Sequence, residues 1–259
     1  QNKMTVMATG QLSEVSTGEP LMFTEMTLLT ALRTAANSAM AAKYLAKKDS
    51  KVLTLIGTGA QSEFQYLAFS YIFDLEEVRF YDTDPKAMEK FVKNVSEFDI
   101  KITPCKNTEE AIIGADIITT CTADKKYQTI LTKEMIKRDV YINAIGGDCP
   151  GKTELEKELV ETSIVVCEFL EQCKIEGEIQ QLDKNYMCTE LYEIIRAEKV
   201  LNVETEGTIV FDSVGFAIED YSVLRLIYKL SNEFNIGKEM NLIPQLSDVK
   251  NLFSLVEKN

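Results

Sequence analysis

Six short runs are apolar almost throughout and recur between stretches of helical pattern: KVLTLIG (51–57), VRFYD (78–82), ADIITTCT (115–122), DVYINAI (139–145), SIVVCEF (163–169) and TIVFDSV (208–214). A strand with one face in water alternates apolar and polar side chains, whereas a strand apolar on both faces has to be covered on both. Strand–helix alternation of this kind predicts an α/β fold, a parallel sheet with helices on either side. Helices are expected from Ser62 to Phe73 and from Pro85 to Ser96, with Pro85 near a first turn, where its missing N–H costs nothing. Upstream, Thr27 to Lys47 is alanine-rich with helical spacing of Leu28, Leu32, Ala35, Ala39 and Ala42, a face that permits close packing. Residues 3–9 and 20–24 have strand character and are joined through the turn sequence Ser16-Thr17-Gly18-Glu19-Pro20. A helix from Tyr221 to about Phe234, a tail through Ile243-Pro244-Gln245 and a short helix end the chain.

VLTLIGTGAQSEFQ (52–65) follows a strand and opens a helix, the context in which a glycine pattern binds a dinucleotide. Gly57 permits the tight turn and Gly59 lets the backbone approach a pyrophosphate. Ala60 and Gln61 offer amides at the positive end of the helix, and Ser62 stands where a third small residue falls. The next strand ends at Asp82, roughly 20 residues on, where an acid that binds ribose hydroxyls is expected. Its charge repels a 2′-phosphate, so NAD is favoured over NADP; Asp84 is the competing position. The segment reads as a Rossmann-type, doubly wound parallel sheet that binds NAD.

GGDCPGKTEL (146–155) follows another strand and delivers Asp148 and Lys152 to the carboxyl end of the sheet, where open α/β folds bind ligands. There a carboxylate could take a proton from an amine and a lysine could hold a polar cofactor group. A turn carrying a surface ion pair is the alternative reading.

The chain has no histidine, which excludes His-ligated metal sites and Ser-His or Cys-His nucleophiles. Catalysis must rest on carboxylates, lysine, arginine or a cofactor. A net charge of −13 argues against nucleic acid or an anionic membrane as partner, and no apolar run reaches the ~20 residues of a membrane span. Six cysteines without a CxxC pair read as buried free thiols of a cytoplasmic protein. The length of 259 residues suits one large or two moderate domains. Because Gln1 is not methionine and strand character begins at once, the chain is expected to begin inside a longer protein.

TEMTLLTALRTAA (24–36), IGTGAQSEFQ (56–65), TTCTADK (119–125), GGDCPGKTEL, IEGEIQQ (175–181) and FDSVGFAIEDYS (211–222) together resemble the ornithine cyclodeaminase and mu-crystallin family over almost the whole chain. GGDCPGKTEL and IEGEIQQ are most particular to the cyclodeaminases. The resemblance implies conversion of L-ornithine to L-proline and ammonia with NAD used catalytically: hydride leaves the α-carbon, the terminal amine attacks, ammonia departs and hydride returns. It implies that Asp148 accepts a proton from the side-chain amine and that Arg33 binds the substrate carboxylate. It also implies that Lys152 and Ser213 hold the nicotinamide carboxamide, that Val214 and Gly215 line the pocket beside the substrate side chain, and that Thr34 contacts cofactor phosphate. Thr5 would reach the substrate, and Thr122, Ala123 and Asp124 would contact NAD.

Residues 34–238 would form the NAD-binding domain. Residues 1–33 and 239–259 would be remnants of a split substrate and dimerisation domain, through which the family forms homodimers. An N-terminal portion that supplies the family's further carboxylate-binding arginine and a lysine near the α-amine is absent from this sequence. Lysine cyclodeamination, imine reduction, an amino-acid dehydrogenase and a crystallin-like NAD-binding protein without catalysis are the alternatives.

Overall fold

The structure, a computed structural model, describes residues 6–123, 128–204 and 207–256. An antiparallel hairpin of β1 (Thr9–Ser13) and β2 (Pro20–Glu25) leads into α1 (Thr27–Leu45). There follow β3 (Val52–Ile56), α2 (Ser62–Ser70), β4 (Glu77–Tyr81), α3 (Pro85–Val95), β5 (Lys101–Pro104), α4 (Thr108–Ile112), β6 (Ile117–Thr120) and β7 (Tyr141–Ala144). The chain closes with α5 (Lys157–Glu161), β8 (Ile164–Cys167), α6 (Leu170–Glu176), β9 (Thr189–Glu190), α7 (Leu191–Ile195), β10 (Ile209–Asp212) and α8 (Ala217–Phe234).

Strands β3 to β10 make one sheet in the order β5-β4-β3-β6-β7-β10-β8-β9, with every neighbouring pair parallel. The chain winds outward from β3 to β5, then returns to the other side of β3 for β6. That reversal creates a switch point between β3 and β6, the doubly wound arrangement expected from the strand–helix alternation. Alternate residues of the buried strands feed two cores, one on each face. Leu53, Leu55, Phe80 and Phe211 pack with Ala41, Ala42 and Leu45 of α1 and with Phe69 of α2. Ile56, Ile118, Ile142 and Val210 pack with Leu155 and Leu159 on the opposite face. Thr54, polar and fully buried within β3, gives its hydroxyl to the Ala111 carbonyl at 2.8 Å, so burying it strands no donor.

Three expectations are corrected. The first strand is Thr9–Ser13 rather than 3–9: residues 3–5 lie outside the described residues, and 6–8 are not in a strand. The turn decides this, because Glu14 N bonds Glu19 O at 2.8 Å and pairing propagates outward from that closure. The last long helix starts at Ala217, four residues before Tyr221, with Glu219 and Asp220 in its first turn, where acids suit the helix dipole. In α1 the buried stripe runs through Leu29, Ala35, Ala39 and Ala42, while Leu28 and Leu32 are exposed. Leu29 instead joins Leu12, Met26 and Leu224 in a third, small core that ties the hairpin to α1 and α8. No helix among the described residues is long and apolar enough to cross a membrane.

Glu77, buried at the start of β4, takes an ion pair from Arg79 (2.9 Å) and another from Lys101 (3.0 Å), and a hydrogen bond from Thr103 (2.6 Å). Chiefly the Arg79 contact holds its carboxyl down at about 2, against a usual value of 4.5. A depressed acid contributes stability that is present above the unfolded value and lost as pH falls through the folded one. Glu77→Gln should therefore lower the melting temperature at neutral pH, by the equivalent of at most about 3 kcal/mol. The gap should close as acid melts follow wild type and variant down towards pH 2.

Candidate active site

The expected site residues collect along the carboxyl edge of the sheet in the order of the strands. Asp82 follows β4, Gly57 follows β3, Thr122 lies two residues beyond β6, the 146–152 loop follows β7 and Ser213 follows β10; Glu168, which the sequence does not single out, follows β8.

At the switch point Gly57 has φ +102, and a Cβ there would stand 2.7 Å from the Cys121 carbonyl oxygen. Only glycine combines that conformation with that approach. Gly59 has no atom within 4 Å of its Cβ position, so the loop is open on its outer side, with Ala60 exposed and Gln61 just before α2 without a side-chain cap bond. Asp82 Oδ2 accepts from Thr58 N (2.6 Å) and Thr58 Oγ1 (3.1 Å), and its Oδ1 accepts from Asp84 N (2.9 Å). The acid is thus aimed at the glycine loop. Asp84 is occupied differently: its Oδ1 accepts from Lys86 N as the N-cap of α3. Of the two acids, Asp82 is the one held against the glycine loop.

Lys152 is 3% exposed, and its Nζ donates to the Thr122 carbonyl (2.8 Å) and to Asp148 Oδ1 (3.2 Å). Two acceptors for three N–H donors leave one donor for a ligand among the described contacts. Asp148 itself is 59% exposed at its side chain, so this is an ion pair with one buried and one open end. A merely superficial pair would bury neither end.

Beneath the loop, three acids hold it in place. Asp212 Oδ1 and Oδ2 accept from the amides of Glu178 (2.9 Å) and Ile179 (3.1 Å). Glu178 Oε1 and Oε2 accept from the amides of Glu154 (2.8 Å) and Leu155 (3.0 Å). Glu154 Oε1 in turn accepts from Thr122 N (3.0 Å) and Thr122 Oγ1. Burial raises all three carboxyls: Asp212 to about 7, Glu178 well above its usual range, and Glu154 in the same direction. Glu154 and Lys152 grip Thr122 from its amide and its carbonyl sides respectively. Spacing along the chain does not single out these acids, although Glu154 and Glu178 lie inside GGDCPGKTEL and IEGEIQQ. Only Asp212 carried a signal, as a carboxylate inside the apolar run TIVFDSV.

Further along the edge, Ser213 is buried, and Val214 and Gly215 are partly buried. Arg33, from α1, lies against Gly215, where a Cβ would stand 2.5 Å from Arg33 Nη1. Its guanidinium pairs with Glu219 and, through Nε, with Asp220 (3.2 Å). Thr34 is half-buried on the same helix, and Ala123 is exposed beyond β6. Thr5 and Asp124 lie outside the described residues. The structure thus brings Arg33, Ser213, Val214 and Gly215 together, and separately joins Asp148, Lys152 and Thr122.

The residues fit a nicotinamide dinucleotide. The glycine loop is open at the switch point, Asp82 faces it, the buried Gln61 Oε1 has no donor among the described residues, and the buried Lys152 ammonium has a donor to spare among the described contacts. Fold and site define the class: a Rossmann-type α/β protein with its ligand crevice at the carboxyl edge. Within that class the chain belongs to the ornithine cyclodeaminase/mu-crystallin family, whose model matches residues 1–234. It is 46% identical over 254 residues to the ornithine cyclodeaminase of Agrobacterium fabrum, spanning 98% of this chain and 72% of that protein. Among solved structures, a lysine cyclodeaminase described with L-lysine, L-ornithine and L-2,4-diaminobutyric acid superposes with a TM-score of 0.88 at 32% identity, covering 96% of this chain and 72% of that one. An archaeal alanine dehydrogenase dimer with bound NAD gives 0.86 at 34% identity, over 94% and 77% of the two chains.

Proposed function

We propose that the protein is an NAD-dependent enzyme that converts L-ornithine to L-proline and ammonia. The observation that carries this reading is the Asp148–Lys152 pair, placed between the glycine loop and the Arg33–Ser213–Gly215 cluster, in a chain 46% identical to an ornithine cyclodeaminase. When bound, NAD supplies the acceptor and later the donor of a hydride, so no net redox change occurs. Gly57, Gly59, Ala60 and Gln61 would hold the pyrophosphate, Asp82 the ribose, and Lys152 and Ser213 the carboxamide. Thr34 would approach a phosphate, while Thr122 and Ala123 would border the cofactor. Arg33 would hold the amino-acid carboxylate through its planar fork. The exposed side of Asp148 would take a proton from the terminal amine and present that nitrogen for attack on the α-carbon. On this reading the hairpin and residues 239–259 belong to the substrate and dimerisation half, and the enzyme works as a homodimer.

Incubation with NAD and L-ornithine tests the proposal. Proline and ammonia should form without accumulation of NADH. Lasting NADH production would point to a dehydrogenase, and a preference for L-lysine would redirect the assignment within the cyclodeaminases. Binding of NAD with no turnover of either diamino acid would indicate a non-catalytic binder.

Asp82→Ala should weaken NAD binding by roughly 10- to 100-fold, the worth of a charge-assisted hydrogen bond, and relax rejection of NADP. Titration with NADH and NADPH reads both effects. An unchanged ratio between the two cofactors would remove Asp82 from the ribose.

A further inference from the structure

Two acids without a role in the scheme above lie side by side behind the Arg33–Gly215 contact. Glu168, at the end of β8, is 6% exposed. Its Oε1 accepts from Asn37 Nδ2 and from Ser213 Oγ (3.2 Å), and its Oε2 accepts from the amides of Val214 (3.2 Å) and Gly215 (2.6 Å). Four donors on two oxygens is the environment of an ionised carboxylate. Glu219, in the first turn of α8, sits within hydrogen-bonding reach of Glu168. Its Oε2 accepts from Arg33 Nη1, while its Oε1 is buried without a protein donor among the described residues. Two buried carboxyls in contact cannot both be anions. Since Glu168 is committed to four donors, the proton belongs to Glu219.

The charged groups around the pair are few. Arg33 faces it from α1, Asp220 flanks Glu219 on α8 and lies 3.2 Å from Arg33 Nε, and Asp212 stands behind Glu168 on β10. Burial, reinforced by the Glu168 carboxylate, pushes the Glu219 carboxyl up to about 9, with Arg33 opposing.

We propose that Glu168 and Glu219 share one proton, carried by Glu219 and donated to Glu168, and that this acid pair positions residues 213–215 while sparing the charge of Arg33 for a ligand carboxylate. The consequence for Arg33 rests on the function proposed above; the shared proton does not. Were Glu219 an anion, Arg33 would face two negative charges, Glu219 and Asp220, and would have no net attraction left for an amino-acid carboxylate. With Glu219 neutral, Asp220, whose side chain is 41% exposed, is its single anionic neighbour among the described ion pairs. Glu168 and Glu219 are therefore positioning residues. Ser213 also follows from the arrangement: its one O–H is spent on Glu168, so its oxygen is left to accept from a ligand.

Glu219→Gln reproduces the protonated acid, because its amide N–H can donate to Glu168 while its carbonyl accepts from Arg33. The test compares thermal unfolding of the full chain as wild type, Glu219→Gln and Glu219→Ala, from about pH 6 to about pH 10. A folded-state value raised from 4.5 to about 9 means that wild-type stability from this group falls as pH rises between those values. Glu219→Gln lacks that slope. It should melt at or above wild type near neutrality, with an advantage that grows until about pH 9 and then levels, while Glu219→Ala melts below both. A Glu219→Gln deficit that is independent of pH would mean an ordinary ion pair and would overturn the proposal. In infrared spectra with carboxyl-labelled glutamate, the difference between wild type and Glu219→Gln isolates this acid from Glu154 and Glu178, whose carboxyls burial also raises. A glutamic-acid carbonyl band should bleach with a midpoint near 9, and an unchanged band through that range would equally overturn it. Neither readout involves a ligand, so a failure to turn over ornithine would leave both intact.

Discussion

Asp148→Asn should cut ornithine turnover by roughly 10²- to 10⁴-fold, the usual worth of a general base, while leaving NAD affinity within about twofold. The substitution keeps the shape of the side chain and an oxygen for Lys152, whose ammonium remains tethered to the Thr122 carbonyl at 2.8 Å. What disappears is the capacity to accept a proton on the open side of the loop, where Asp148 is 59% exposed. Proline formation measured beside an NADH binding titration separates the two. Turnover near the wild-type rate would remove Asp148 from the chemistry, and a parallel loss of NAD binding would recast it as a cofactor anchor.

Glu178→Ala should have the largest effect on stability. The acid is fully buried and satisfies two amides, Glu154 N and Leu155 N, which lose their acceptor once its side chain is gone. Each orphaned donor costs about 1–3 kcal/mol, so a loss of roughly 2–6 kcal/mol is expected, reduced by relief of its repulsion with Asp212. Denaturant unfolding reads the loss directly. A change under about 1 kcal/mol would show that the 146–155 loop finds other partners.

The sheet was legible because its strands are apolar on both faces, a pattern that admits few folds. The glycine loop was legible for a local reason: Gly57 has to turn and stay thin against Cys121, and both demands are written in one residue. β9 has two residues and β5 has four, the latter ending on Pro104 with largely exposed or half-buried positions, so neither shows a period. The first strand starts later than expected because Met4 to Ala8 is apolar apart from Thr5, and apolarity alone does not say which residues a turn will pair. The site was legible in part. Spacing along the chain points to Asp82, and the structure sets that acid against the glycine loop while Asp84 caps α3. Glu168, Glu178 and Glu219 could not be found that way, because their partners lie 20 to 50 residues or more away and only the folded sheet brings those partners to them.

The acid-to-amide ladder from Asp212 through Glu178 and Glu154 to Thr122 makes the rim of the sheet a single modular part. Each acid serves backbone from a different segment, so a change at one rung leaves a stranded amide in the next loop rather than in its own. The 146–155 loop is therefore a poor unit for transplantation. An engineer who wishes to move this turn onto another parallel sheet would have to carry residues 176–181, the end of β10 and Thr122 with it. A designed library that varied the rungs singly would sample mostly broken combinations.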